Sequence, residues 1–287
     1  MLAPPVISID GAGHNHMKER ETIRRRIRLI IACTFITAMT VSCHRSAFDL
    51  SGFIYPGNDS TMVPRIGAGE MISVPSGERL SRGYFSPRGQ RLVVFFHGNG
   101  ESMYHMEITG KKFYEAGYGI LLAEYPGYGV SAQYEANEKN IYEDGDALIR
   151  HVQSSHSISP RDTVLFGYSL GTGVAVEMAS RGLGSKMILI APYTATYDVA
   201  AHYFIPGLPR MLINDIYETK NKAPSITMPV LIIHGKRDKT IPFRMSEELT
   251  PLFRDAVMIP VEDAGHEVIV RVTDGELWKA VSDFLAR

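Results

Sequence analysis

Cysteine is scarce in this chain of 287 residues: there are two, Cys33 and Cys43, both within the first 43 positions. The remainder therefore has no internal disulfide, no thiolate nucleophile and no thiolate metal ligand. An excess of charge of one sign is also missing. Thirty Lys and Arg stand against 31 Asp and Glu, for a formal net charge of -1, so no global field attracts nucleic acid and no nucleic-acid partner is expected. The ten histidines include no H-E-x-x-H spacing, and neither a metal nor an organic cofactor is expected. The apolar, uncharged run at residues 29–41 has about thirteen positions, short of the roughly 20 that cross a bilayer as a helix.

What is present is ordinary for a globular α/β domain, at 45% hydrophobic and 21% charged. The basic residues Lys18, Arg20, Arg24, Arg25, Arg26 and Arg28 precede the short apolar run, which ends in Val41-Ser42-Cys43. A basic region, a short apolar region and a small residue before a processing point fit a secretory signal. The ending resembles a lipobox, with Thr40 where leucine is usual, and predicts acylation of Cys43 and a bacterial lipoprotein facing the periplasm or cell exterior. Residues 1–43 are thus read as a targeting segment that attaches the protein to a membrane. Residues 44–69, rich in Gly, Pro, Ser and Asp, are read as a linker, and 70–287 as the catalytic domain.

Within that domain, alternating patterns near 70–74 and 79–85 predict a hairpin. Residues 92–96 form an unbroken apolar run of the kind buried on both faces of a sheet. Further strands are expected at 120–123, 163–166, 187–191, 230–233 and 257–260. Helices are expected at 103–116, 137–152, 173–180, 245–253 and 276–285. The alternation implies a mostly parallel sheet covered by helices on both faces. It pauses over residues 192–228, too long for a plain connection and read as a lid.

Gly167-Tyr168-Ser169-Leu170-Gly171 lies where a strand passes into a helix, the setting of a nucleophile elbow. A serine nucleophile needs a base and an orienting acid. His266, in Asp263-Ala264-Gly265-His266, and Asp238, in His234-Gly235-Lys236-Arg237-Asp238, both follow strand runs. Ser169, Asp238 and His266 would then open onto the carboxyl edge of one sheet. Asp263 and Glu262 are rivals for the acid. His234 reads as structural, and His97 as a brace for the loop His97-Gly98-Asn99-Gly100. Tyr128 and Ser131 read as loop stabilisers and Tyr125 as a residue that could face substrate; Glu124 and Asp198 read as surface charges.

These motifs together, with Glu124-Tyr125-Pro126-Gly127-Tyr128-Gly129-Val130-Ser131, resemble the α/β-hydrolase superfamily, and more narrowly its membrane-associated depalmitoylating thioesterases and lysophospholipid lipases. The resemblance implies an α/β-hydrolase fold in which Ser169 attacks an acyl carbonyl, His266 moves the proton and Asp238 fixes the imidazole. It also implies an oxyanion hole from the Leu170 and Asn99 amides. Tyr193, Tyr197, Phe204 and Leu208 in the 192–228 segment are the expected substrate-binding residues, for an acyl ester or lipid-like substrate. A membrane-tethered peptidase or amidase, or a non-catalytic binding protein of the same fold, would carry the same residues. Metabolic labelling with a palmitate analogue should mark the wild-type chain and not Cys43→Ser; an unlabelled wild type would refute acylation.

Overall fold

The computed structural model describes residues 54–203 and 214–287. Cys43, Phe204 and Leu208, with the targeting segment and the centre of the expected lid, lie outside the described residues. Eight strands form one sheet: β1 (Glu70–Ser76), β2 (Arg79–Ser86), β3 (Leu92–Phe96), β4 (Gly119–Ala123), β5 (Thr163–Tyr168), β6 (Lys186–Ile190), β7 (Val230–Gly235) and β8 (Ala256–Val261). Their order across the sheet is β1-β2-β4-β3-β5-β6-β7-β8. The pairs β1–β2 and β2–β4 are antiparallel; β4, β3, β5, β6, β7 and β8 run parallel. The sheet is that of an α/β-hydrolase fold, as expected from the sequence.

The helices are α1 (Glu107–Glu115), α2 (Glu138–Ser155), α3 (Leu170–Ser180), α4 (Thr196–Tyr203), α5 (Thr219–Lys222), α6 (Arg244–Leu249) and α7 (Gly275–Ala286). Alternation along each central strand divides the core into two layers. Leu92, Val94, Phe96, Leu165 and Leu189 pack with Ile141, Leu148, Val174 and Met178 of α2 and α3. Val93, Phe95, Val164, Phe166 and Ile188 pack with Phe113 of α1 and with Val281 and Phe284 of α7. Both faces of β3 to β7 are covered, which is why these strands read as continuous apolar runs rather than alternating ones.

The sequence places several helix ends a turn away. The predicted 103–116 helix is a 3₁₀ turn, Met103–Met106, followed by α1, and 245–253 ends at Leu249 because Pro251 leads into another 3₁₀ turn. The helix expected at 173–180 begins at Leu170, directly after the serine. A larger correction concerns the linker. Among the described residues the domain includes 54–69 rather than starting at residue 70, because polar composition there conceals two apolar anchors. Ile66 is fully buried, and Tyr55 is buried with its hydroxyl donating to that of Tyr217 at 3.0 Å.

Chain direction across the sheet fixes the functional edge. From β3 the chain leaves to β4 on one side, then returns past β3 to β5 on the other. The crevice between the carboxyl ends of β3 and β5 is thus the topological switch point, where ligands of open α/β sheets collect. Gly167 and Gly171 permit the close approach there: a methyl at Gly171 would be driven into the Phe96 carbonyl, and one at Gly167 into the backbone of Gly171 and Thr172. Gly171→Ala should cost about 3 kcal/mol, the upper part of the usual overpacking range, since backbone and not a side chain must yield. The urea midpoint measures it, and an unchanged midpoint would show the contact to be looser than the packing implies.

Candidate active site

Ser169 follows the last residue of β5 and precedes the first of α3. It has φ 51° and ψ -119°, a conformation costly for a residue with a Cβ and held only by its surroundings. Its amide donates to the Ile190 carbonyl at 2.9 Å, and its carbonyl accepts from the Thr172 amide at 2.9 Å and the Thr172 hydroxyl at 2.7 Å. The turn is clamped from β6 and from the helix it starts.

Three loops bring the predicted residues together. His266 Nε2 lies 3.0 Å from Ser169 Oγ, and His266 Nδ1 lies 2.8 Å from Asp238 Oδ2. The Asp238 side chain is shielded from solvent, while His266 retains 15% exposure. Asp238 Oδ1 accepts from the Thr240 and Ile241 amides at 2.7 and 2.8 Å. Burial alone would raise the Asp238 pKa, but the hydrogen bonds from His234 and His266 and the charge of His266 hold it well below the usual carboxylate range. The rivals are elsewhere: Asp263 pairs with Arg271 at 2.7 Å and Glu262 with Lys236 at 2.6 Å, both acids exposed.

Ser169 opens into a pocket of about 150 Å³ lined by Ile54, Asn99, Leu170, Tyr193, Thr196, Val199, Ala200, Thr240 and Ile241. Leu170 stands first in α3, where helix amides lack intrahelical partners, and Asn99 follows His97-Gly98 at the end of β3. The Asn99 side chain accepts from the Tyr128 hydroxyl at 2.7 Å, which holds the loop that lines the pocket. Of the expected substrate-binding residues, Tyr193 lines the pocket, with its hydroxyl donating to the Leu170 carbonyl at 3.2 Å. Tyr197 is not among the lining residues; its neighbour Thr196 is.

Two sequence expectations need correction. Glu124 is not a surface charge: it is 1% exposed, and its Oε1 lies 3.0 Å from Nε2 of the fully buried His97. The reason is register. In the parallel pair β3–β4, Phe96 stands opposite Ala123, so the next residues, His97 and Glu124, emerge side by side. Tyr125 does not face substrate; it stacks on His97 at 3.9 Å between ring centres and donates to the His97 carbonyl at 2.9 Å. His97 thereby braces the loop that carries Asn99. Ile54, Thr240 and Ile241 have no sequence signal as pocket residues, because nothing local says that these loops meet. Asp198 is partly exposed and pairs with Lys220 at 2.8 Å.

A depressed carboxylate contributes stability that is present above its unfolded pKa of about 3.9 and is lost as pH falls toward the folded value. The difference in urea midpoint between wild type and Asp238→Ala should therefore be present at pH 7 and shrink as pH falls below about 4. A difference that grew on acidification would contradict the assignment.

Residues 87–211 match the family described as serine aminopeptidase, S33, and residues 213–287 the family of TAP-like proteins. The chain is 32% identical over 195 residues to alpha/beta hydrolase domain-containing protein 17B of Xenopus tropicalis, covering 63% of this chain and 62% of that protein. It is 26% identical over 204 residues to an alpha/beta hydrolase of Acanthamoeba polyphaga mimivirus, covering 69% and 76%. The chain thus spans less than two thirds of the vertebrate relative's length. Among solved structures, an esterase of Pyrococcus furiosus superposes with a TM-score of 0.67 at 19% identity, over 80% of this chain and 97% of that one. An acylaminoacyl peptidase of Pyrococcus horikoshii superposes with a TM-score of 0.58 at 13% identity, over 72% and 39%; at such identities both likenesses speak to fold alone. With the sheet order, the elbow and these relatives in agreement, the chain belongs to the α/β-hydrolase superfamily.

Proposed function

We propose that the protein is a serine hydrolase that cleaves carboxylic esters or thioesters of acyl chains through an acyl-enzyme. The observation that carries this reading is Ser169 Oγ at 3.0 Å from His266 Nε2, with Asp238 behind the ring at 2.8 Å and an apolar pocket in front of the hydroxyl. Ser169 attacks the acyl carbonyl as His266 Nε2 takes its proton. The Leu170 and Asn99 amides receive the negative charge that develops on the carbonyl oxygen. His266 then returns the proton to the leaving alcohol or thiol. Water, deprotonated by the same nitrogen, releases the acid. Asp238 keeps the Nδ1–H tautomer aimed and stabilises the imidazolium.

The pocket walls are mainly carbon, and its volume of about 150 Å³ is enough for a group the size of benzene. An acyl chain of a few carbons fits within the described walls. The motif resemblance to depalmitoylating thioesterases extends the proposal to lipid-like acyl groups, with membrane attachment through residues 1–43 and an acylated Cys43 as part of the same reading. A second reading, a peptidase or amidase, is favoured by the match of residues 87–211 to the serine aminopeptidase family. An aminopeptidase must hold a substrate ammonium, and none of the described lining residues is a carboxylate. That favours the ester reading.

A fluorophosphonate probe should label the wild type and not Ser169→Ala, and kcat on p-nitrophenyl esters should fall in that variant by about 10⁴-fold or more. In an ester series, chains from butanoyl upward should exceed acetyl in kcat/KM. Strict preference for acetyl, or hydrolysis of peptides over esters, would count against the acyl-ester assignment.

A further inference from the structure

We infer that His234 is a fourth member of the array, a positioning residue that shares one oxygen of Asp238 with His266 and thereby sets how strongly that carboxylate holds the His266 ring. The inference rests on the proposed roles of Ser169, His266 and Asp238. His234 ends the apolar core of β7, is fully buried, and points its Nε2 at Asp238 Oδ2, 3.1 Å away. The same oxygen lies 2.8 Å from His266 Nδ1. His234 Nε2 also lies 3.1 Å from the Ile241 carbonyl. Both neighbours of this nitrogen are acceptors, so Nε2 must carry a proton. On the other side of the ring, Nδ1 meets the Ser246 hydroxyl at 2.6 Å, the donor that satisfies a neutral ring. With the Thr240 and Ile241 amides on Oδ1, the Asp238 carboxylate receives four N–H donors, two on each oxygen.

This arrangement has a chemical consequence. A carboxylate that also accepts from His234 is a weaker partner for the protonated His266 than one that accepts from His266 alone. His234 thus weakens the hold of Asp238 Oδ2 on the His266 ring by sharing that oxygen. It also ties the 238–241 loop, which supplies Thr240 and Ile241 to the pocket wall, to the end of β7. Among the described residues, the charged and titratable groups near the two rings include Lys236, over the Phe243 ring that meets His234 edge-on at 5.6 Å, and Glu267, 3.5 Å from the hydroxyl of Tyr168, whose ring packs on His266 and which Glu101 also neighbours. The surface pairs Asp263–Arg271 and Lys236–Glu262 lie on the same loops. All are left intact in the variants.

The test is the fluorophosphonate labelling rate against pH for wild type, His234→Phe and His234→Gln, with folding followed by circular dichroism. His234→Phe should slow labelling by about tenfold, the lower end of what loss of an outer hydrogen-bond partner costs at metal-bound histidines. Its acid limb should move to higher pH, and His234→Gln, which offers an amide N–H at the same reach, should recover part of both effects. A folded Phe variant with the wild-type rate and limb, or a slow one whose limb has not moved, would overturn the inference, as would a Gln variant no better than Phe. Should Phe not fold, ¹⁵N-histidine spectra of the wild type decide: His234 protonated at Nε2 supports the inference, and protonation at Nδ1 alone overturns it. Failure of the wild type to react with the probe would instead remove the catalytic reading beneath it.

Discussion

The contact on which the rest of the site depends is backbone against backbone, where the start of α3 crosses the end of β3. Gly171 lies against the Phe96 carbonyl with no room for a methyl, and Gly167 lies against the backbone of Gly171 and Thr172 with none either. This approach is what holds Ser169 at φ 51°, a conformation it would leave if the helix could retreat. Lifted off the sheet in this way, the hydroxyl can be reached from the loops after β7 and β8. The strain is stored in one residue and resisted by the whole central sheet.

Around that contact the protein arranges two buried polar clusters, each on a loop at a carboxyl strand end. In one, His97 and Glu124 pair at 3.0 Å and Tyr125 closes over them, fixing the loop that presents Asn99. In the other, Asp238 gathers His234, His266 and two amides. Buried carboxylates are expensive unless their lone pairs are met. At Asp238 that cost is met by His234, His266 and two loop amides, so the bonds that satisfy the carboxylate also orient the His266 ring.

The pocket joins parts of the chain that are far apart. Ile54 comes from ahead of the first strand, Thr196, Val199 and Ala200 from α4, and Thr240 and Ile241 from the loop that carries the acid. Tyr193, which lines it, bonds to the Leu170 carbonyl. A wall assembled this way takes its shape from how the elements dock, and side-chain type along any one of them says little about it.

The amino-acid sequence by itself determined the alternation of strands and helices, the elbow at Ser169 and the order Ser169, Asp238, His266. These are legible because buried parallel strands need continuous apolar runs, and because a sharp strand-to-helix turn needs glycine on both sides of its serine. Tertiary structure alone decided that Glu124 is buried, that Tyr125 turns away from the pocket, that Asp263 and Glu262 stay outside, and that residues 54–69 belong to the domain. The first two depend on which residue stands opposite which across the sheet, the last two on how loops and the 54–69 segment dock onto it. Register between strands separated by many residues is set by the packing of the whole sheet, and no local pattern carries it.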